Sequence, residues 1–201
     1  MEKRNKSKII VRIILDVVLV FAILFGIGVS IMTLTANDND GVPSLFGYIP
    51  VSVLTDSMEG TSNGFNQGDL LFIEKIDDAR TAGLIEGDVI TFWDFNIVPG
   101  TRVLNSHRIV DVLGTGTGMR FETRGDNPAI ELDETEITTY SLVVGKYTGT
   151  RIPFLGAVIQ FMQTSLGFFL CIVLPILVLF IFEGVNLVKV IVENKHTASK
   201  E

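Results

Sequence analysis

The chain has 201 residues, of which 47% are hydrophobic and 19% are charged, and its formal net charge is −7. It is too apolar for a typical soluble domain and too charged for a bundle made only of membrane helices. The composition predicts one folded domain joined to membrane segments, and we expect no nucleic-acid partner for so acidic a chain.

The first predicted element is a membrane helix over residues 13–36, which follows a basic tail at residues 1–12. Residues 17–34 contain no charged side chain. As a helix they would rise about 27 Å, close to the thickness of the hydrocarbon core. A cleaved signal peptide is the alternative, but its apolar part is usually only about 7 to 15 residues long.

The second apolar run, residues 166–182, predicts another membrane helix with a kink at Pro175. A buried core helix is the alternative, yet no polar face repeats through the run at helical spacing. Residues 152–165 precede it and are amphiphilic, so we expect them to lie in the membrane interface. Residues 183–201 then form a charged tail.

The distribution of charge predicts the orientation in the membrane. Residues 38–150 contain 18 acidic and 7 basic side chains, whereas the rest of the chain contains 5 acidic and 9 basic ones. Basic residues flank membrane helices on the cytoplasmic side. We therefore expect both tails in the cytoplasm and the acidic middle segment, residues 37–151, outside it.

The middle segment is predicted to be mainly β and antiparallel. Short apolar or alternating runs rich in Val, Ile, Phe and Thr are separated by Gly-rich turns, as in sheet proteins. The Gly-rich run at residues 114–118 predicts a hairpin loop, because no Lys follows it as a phosphate-binding loop would require. The predicted strands cover residues 48–54, 70–76, 88–95, 107–113, 119–123 and 142–148.

Two residues of this segment could form a nucleophile and its base. Ser57 lies in the stretch SVLTDSMEG, and a serine nucleophile needs a group that accepts its proton near neutral pH. His107 meets that requirement from the same segment, whereas the other histidine, His196, lies in the C-terminal tail. A turn serine and a structural strand histidine are the alternatives.

A carboxylate that orients the histidine would complete the set. The stretch TRGDNPAIELDETEI offers Asp126 on a Gly-Asp-Asn turn and Asp133 with its acidic neighbours Glu131 and Glu134. Catalytic triads are assembled in space, so spacing along the chain leaves the choice among these carboxylates open.

Five blocks, in order, resemble those of type I signal peptidases: VSVLTDSMEGTSNGFNQGDLLFIEK, EGDVITFWD, SHRIVDV, FETRGDN and VVGKYTG. The histidine in the third block resembles the endoplasmic-reticulum type, which also occurs in archaea and some Gram-positive bacteria, and differs from the bacterial type with a lysine base. The resemblance covers about residues 45–160.

The resemblance implies a membrane-bound serine endopeptidase that removes signal peptides from exported preproteins without a metal or cofactor. It implies Ser57 as the nucleophile, His107 as the general base and Asp133 as the orienting carboxylate, with Asp126 as the rival. The Thr55 hydroxyl and the Ser57 N–H would form the oxyanion hole. The implied partners are secretory preproteins, the lipid bilayer and the protein-export translocon.

The chain departs from the family pattern beside the nucleophile. Members usually have Ser-Gly-Ser-Met-Glu-Pro, where this chain has Thr-Asp-Ser-Met-Glu-Gly at residues 55–60. If the Gly position needs a positive φ, Asp56 adopts it at a cost, and its charge would oppose an oxyanion nearby. This departure supports an alternative function, a non-catalytic assembly factor or chaperone for secreted or pilus subunits.

Overall fold

The computed structural model describes residues 13, 16–20, 23–28, 30–31, 33–36, 41–61, 63–98, 100–130 and 135–198. The chain divides into two compact units. One unit spans Gly28–Gln160 and contains the sheet, and the other combines the residues before and after it.

An antiparallel sheet of seven strands forms the larger unit, in the order β1-β2-β7-β3-β4-β5-β6. This confirms the predicted β-rich, antiparallel domain. β1 and β6 lie at the two edges, so each pairs with a single neighbouring strand. The strands are β1 (Tyr48–Ser52), β2 (Leu70–Lys75), β3 (Val89–Val98), β4 (Thr101–Leu113), β5 (Arg120–Arg124), β6 (Glu136–Thr139) and β7 (Val143–Ile152).

Each of the six predicted strands overlaps an observed one, but the sequence reading missed β6 and the first six residues of β4. β6 reverses the usual polarity of a half-buried strand, because Ile137 is exposed while Thr138 is buried. A search for inward-facing apolar side chains does not detect such a strand. The predicted hairpin loop at residues 114–118 connects the antiparallel pair β4 and β5.

Two clusters of buried apolar side chains form the core of this unit. The first lies against β1, β2 and β7 and includes Met58 and Phe65 from the loop between β1 and β2. The second involves β3, β4, β5 and β7, with the Phe121 side chain fully buried. The side chain of Met58, the residue after Ser57, therefore attaches this loop to the core.

Four α-helices complete the described chain: α1 (Asp16–Ala36), α2 (Leu155–Gln163), α3 (Ser165–Phe168) and α4 (Leu174–Ala198). By length and composition, α1 and the helical segment Ser165–Lys189 could each cross a membrane. The second helical segment continues well past residue 182, where the apolar run ends.

The second apolar run changes its helical geometry just before its proline. Phe169–Val173 form a π-helical segment between α3 and α4, and Pro175 is the second residue of α4. A proline lacks the N–H that would complete the helical ladder, so a local rearrangement of backbone bonding is expected there. The π-helical segment lies near the kink predicted at Pro175, and the kink itself stays a prediction.

Candidate active site

The loop after β1 holds Ser57 through its neighbour Met58. The Met58 side chain is fully buried in the first core cluster, and its carbonyl accepts a hydrogen bond of 3.1 Å from the N–H of Phe65. Burial of a Met side chain is worth about 2 kcal/mol. The apolar residue in the Ser-Met pair thus anchors the turn, and Ser57 is presented beside it.

Ser57 and His107 meet although 50 positions separate them in the chain. The Ser57 Oγ lies 3.2 Å from the His107 Nε2, within hydrogen-bond distance. His107 lies in β4, paired with Ile90 of β3, and its imidazole and the Phe92 ring are in a T-shaped arrangement with their centroids 6.5 Å apart. The serine is 8% exposed and the histidine 4%, so the pair is largely shielded from water. The arrangement suits proton transfer from a serine to an imidazole.

Thr55 lies next to this pair. Its Oγ1 donates a hydrogen bond of 3.4 Å to the Ser57 Oγ, and the residue as a whole is exposed. An exposed hydroxyl at this place could turn toward an oxygen of a bound substrate. This is the hydroxyl that the family resemblance assigns to the oxyanion hole.

Asp126 pairs with Arg108, the residue after His107. The Arg108 Nε donates to one carboxylate oxygen at 2.8 Å, and the Thr61 hydroxyl donates to the other at 2.7 Å. Burial alone would raise the pKa of the Asp126 carboxyl, but the hydrogen bonds from Arg108 and Thr61, together with the nearby positive charge of Arg108, hold the pKa below its ordinary value. The hydrogen bond with Asp126 raises the pKa of the Arg108 guanidinium.

Asp133 lies outside the described residues. Among those that are described, Glu136 places a carboxylate oxygen 3.6 Å from the Nδ1 of His107. The Asn105 amide lies 3.4 Å from the same oxygen of Glu136. Sequence reasoning had no reason to choose Glu136, because it belongs to a run of acidic residues whose members look equivalent without coordinates.

Asn127 is a second residue that the sequence reading did not select. Its backbone N–H donates to the Ser57 carbonyl at 2.8 Å, and its side-chain amide donates to the Asp56 carbonyl at 2.9 Å. The only sequence signal for Asn127 was its place in the Gly-Asp-Asn turn, of which Asp126 was selected because its carboxyl group can titrate. In this turn, Asn127 therefore bonds to the loop that carries Ser57, and Asp126 bonds to Arg108.

The two departures from the family pattern have distinct local structures. Asp56 does not have a positive φ, so the conformational cost considered for it does not arise. Its carboxylate accepts a hydrogen bond of 2.8 Å from the backbone N–H of Gln67. Gly60 has a φ of 100°, a value closed to proline, whose ring fixes φ near −65°.

An open and mostly apolar groove of about 80 Å³ adjoins Ser57. One wall is the end of β1 with the residues that follow it, and the other is part of β4, residues 103–106. β5 pairs with β4 only from Arg108 onward, so Thr101–His107 have no strand on that side among the described residues. The groove thus combines apolar walls with a backbone edge that could accept an extended peptide.

The chain is 33% identical over 136 residues to Signal peptidase I W of Bacillus subtilis (strain 168). The matched region covers 68% of this chain and 64% of that protein. No family model matches the chain. No solved structure matches it either. The similarity to the curated relative agrees with the five sequence blocks and with the β-rich domain, and the chain belongs to the type I signal peptidase family.

Proposed function

We propose that this chain is a membrane-bound serine endopeptidase that removes signal peptides from exported preproteins. The observation that carries the proposal is the 3.2 Å separation of the Ser57 Oγ and the His107 Nε2. Membership of the family and the apolar groove beside Ser57 support it.

The proposed reaction begins with the attack of the Ser57 Oγ on the scissile carbonyl carbon while His107 takes the hydroxyl proton at Nε2. The Thr55 hydroxyl and the Ser57 N–H stabilise the oxyanion that forms. The tetrahedral intermediate collapses, the peptide C–N bond breaks, and His107 gives its proton to the departing amine. Water, activated by the same imidazole, then hydrolyses the acyl-enzyme and restores the Ser57 hydroxyl.

We assign the orientation of His107 to Asp133, following the family pattern. A carboxylate at the Nδ1 of the imidazole fixes the tautomer with a free lone pair on Nε2 and stabilises the imidazolium. Asp126 is the rival. Its bonds with Arg108 and Thr61 favour a structural role, because two of its neighbours already use its two carboxylate oxygens.

The substrate in this proposal is an extended preprotein segment that adds as a strand along residues 101–107 of β4. Backbone hydrogen bonds would hold it, and the small apolar groove would select small side chains before the cut. The groove walls are mainly Val and Leu side chains, including Val51, Val53 and Leu104. Such walls give no partner to a charged side chain, which would lose its hydration there.

We place the protein in the cell membrane as a multi-pass protein with the catalytic domain on the extracytoplasmic side. Two helices of sufficient length and apolarity support this placement, and so do the basic residues that flank them. α2 would lie in the interface, because its exposed apolar side chain Val158 follows the exposed Phe154. The translocon would deliver the preproteins.

Co-expression with a secretory precursor tests the proposal. Ser57→Ala and His107→Ala should each abolish cleavage, since either change removes half of the pair that activates the nucleophile. His196→Ala is the matched control, because it removes the other histidine of the chain and should leave cleavage unchanged. Normal processing by both Ser57→Ala and His107→Ala would refute the enzyme and favour the non-catalytic assembly factor.

A further inference from the structure

A tight turn just before β1 exposes an aromatic side chain. Leu45 and Tyr48 exchange two backbone hydrogen bonds, of 2.8 and 3.0 Å, and the two residues between them have positive φ: 52° at Phe46 and 84° at Gly47. Turns of this kind favour Asn, Asp or Gly at the first central position. Phe46 is instead 92% exposed in a conformation that a side chain with a Cβ resists.

A second phenylalanine has the same combination of properties. Phe154, between β7 and α2, has a φ of 63° and is 77% exposed. Phe46 and Phe154 are the only residues other than glycine that have positive φ in the described part of the chain. Water disfavours both exposed rings and sterics disfavour both backbones, so each position is poorly explained by the stability of the sheet domain alone.

Backbone and side-chain hydrogen bonds connect the Phe46 turn to the end of α1. The Gly41 N–H donates to the Ala36 carbonyl at 2.9 Å, and the Ser44 N–H donates to the Thr35 Oγ1 at 3.2 Å. Thr35 and Ala36 are the last two residues of α1, the first helix that could cross a membrane. Phe46 thus follows, by two residues, a position bonded directly to the end of that helix.

The chemistry of the turn is compatible with lipid. Residues 41–48 contain no charged side chain, and Leu45 and Tyr48 are also exposed. The end of a membrane helix lies at the level of the lipid headgroups, where an aromatic ring can bury its face among the acyl chains. A tight turn holds the ring outward with little loss of conformational entropy on binding.

We propose that Phe46 is a lipid anchor of the catalytic domain, with its ring inserted into the outer leaflet beside the end of α1. Phe154 forms a second anchor at the start of α2. This inference rests on the proposed membrane placement, and the experiment below separates the failure of one from the failure of the other.

Nitroxide labels on the full-length protein in phosphatidylcholine bilayers test the inference. Phe46→Cys, Ile137→Cys and Ile23→Cys are prepared in a Cys171→Ser background, because Cys171 is the single cysteine of the chain. Ile23 lies within α1, and Ile137 is an exposed apolar residue of the opposite edge strand β6. Collision rates with oxygen, which concentrates in lipid, and with a water-soluble nickel chelate report the depth of each label.

We expect the label at residue 46 to collide preferentially with oxygen, as the label at residue 23 does, while the label at residue 137 collides with the chelate. A label at residue 46 that behaves like the one at 137 overturns the lipid anchor. Shielding of residue 46 from both reagents also overturns it, because a protein partner would then cover the turn. A water-exposed label at residue 23 overturns the membrane placement itself.

Phe46→Asn provides a second test that does not depend on labelling. Asparagine tolerates a positive φ, so the variant should unfold at a higher temperature in detergent than the unaltered protein. In bilayers it should process a membrane-inserted precursor at least about threefold more slowly, while its turnover of a short peptide in detergent stays the same. Unchanged processing in bilayers would contradict the anchor.

Discussion

The N–H of Asn127 donates a hydrogen bond to the carbonyl oxygen of Ser57, although 70 positions separate the two residues. The side-chain amide of Asn127 reaches the Asp56 carbonyl as well. The turn that follows β5 thereby bonds to the backbone of the loop that carries Ser57. His107 approaches the same serine from β4, so the geometry of the pair depends on contacts from two different parts of the sheet.

Asn127→Ala should lower kcat with little change in KM. The variant loses the bond to the Asp56 carbonyl, and a net hydrogen bond of this kind contributes about 1 kcal/mol. Loosening of the loop that carries Ser57 should cost about tenfold in rate, because the reaction needs the serine in attacking position. Steady-state kinetics on a precursor peptide measures both parameters.

Asn66→Ala is the control for this variant. Asn66 lies in the same loop region and is exposed, and it bonds to Asp69 through backbone atoms that alanine retains. It should keep full activity. Equal kinetics for Asn127→Ala and Asn66→Ala would show that the bond to Asp56 has no part in positioning Ser57.

Thr55→Val should reduce kcat by about a hundredfold and leave KM within a factor of about three, if the hydroxyl stabilises the oxyanion. Valine keeps the branched shape and removes only the donor. Thr55→Ser is the matched control, because it retains a hydroxyl at the same place and should keep most of the activity. A Thr55→Val enzyme as fast as the unaltered one would remove Thr55 from the oxyanion hole.

Asp126→Asn should destabilise the domain at neutral pH by about 2 kcal/mol, since it removes a charge that is paired with Arg108 and largely buried. The pKa of Asp126 is lower in the folded chain than its ordinary value of 3.8. Its contribution to stability is therefore complete above about pH 3.8 and disappears as the pH falls through the lower, folded value. Urea unfolding at several pH values should show the two proteins converging at acid pH.

The roles of Asp126 and Asp133 can be distinguished by the kinetics and the stability of their variants. If Asp133 orients the imidazole of His107 as proposed, Asp133→Asn should lower kcat by at least about a hundredfold and leave the stability of the domain unchanged. Asp126→Asn should lower the stability of the domain more than it lowers kcat. If Asp126→Asn proves fully stable and inactive while Asp133→Asn remains active, the two assignments must be exchanged.

Gly60→Pro should destabilise the loop that carries Ser57, even though the family usually has proline at this position. The φ of 100° at Gly60 is far from the value near −65° that a proline ring imposes. We expect a loss of more than about 1 kcal/mol and a matching loss of activity. Gly60→Asn is the control, since asparagine tolerates a positive φ better than proline does. Its stability should fall between those of Gly60→Pro and the unaltered protein. Thermal unfolding that leaves Gly60→Pro unchanged would contradict the loop conformation.

The sequence determined much of the architecture because its signals are local. Uncharged runs long enough to cross a membrane and short alternating runs between glycines can be recognised without coordinates, and the antiparallel sheet followed from the second pattern. The family blocks also selected Ser57 and His107 in advance. β6 was missed because its buried side chain is Thr138 and its exposed one is Ile137.

Only the tertiary structure decided how the selected residues meet. Residues 57, 107 and 127 lie on different segments, and only the folded arrangement of the sheet and its loops brings their polar atoms within hydrogen-bond distance. The roles of neighbouring acids are equally invisible along the chain, because a carboxylate that binds Arg108 and one that lies near an imidazole have the same sequence signature. The physical reason is that hydrogen bonds and ion pairs act over a few ångströms in space, whatever the separation in sequence.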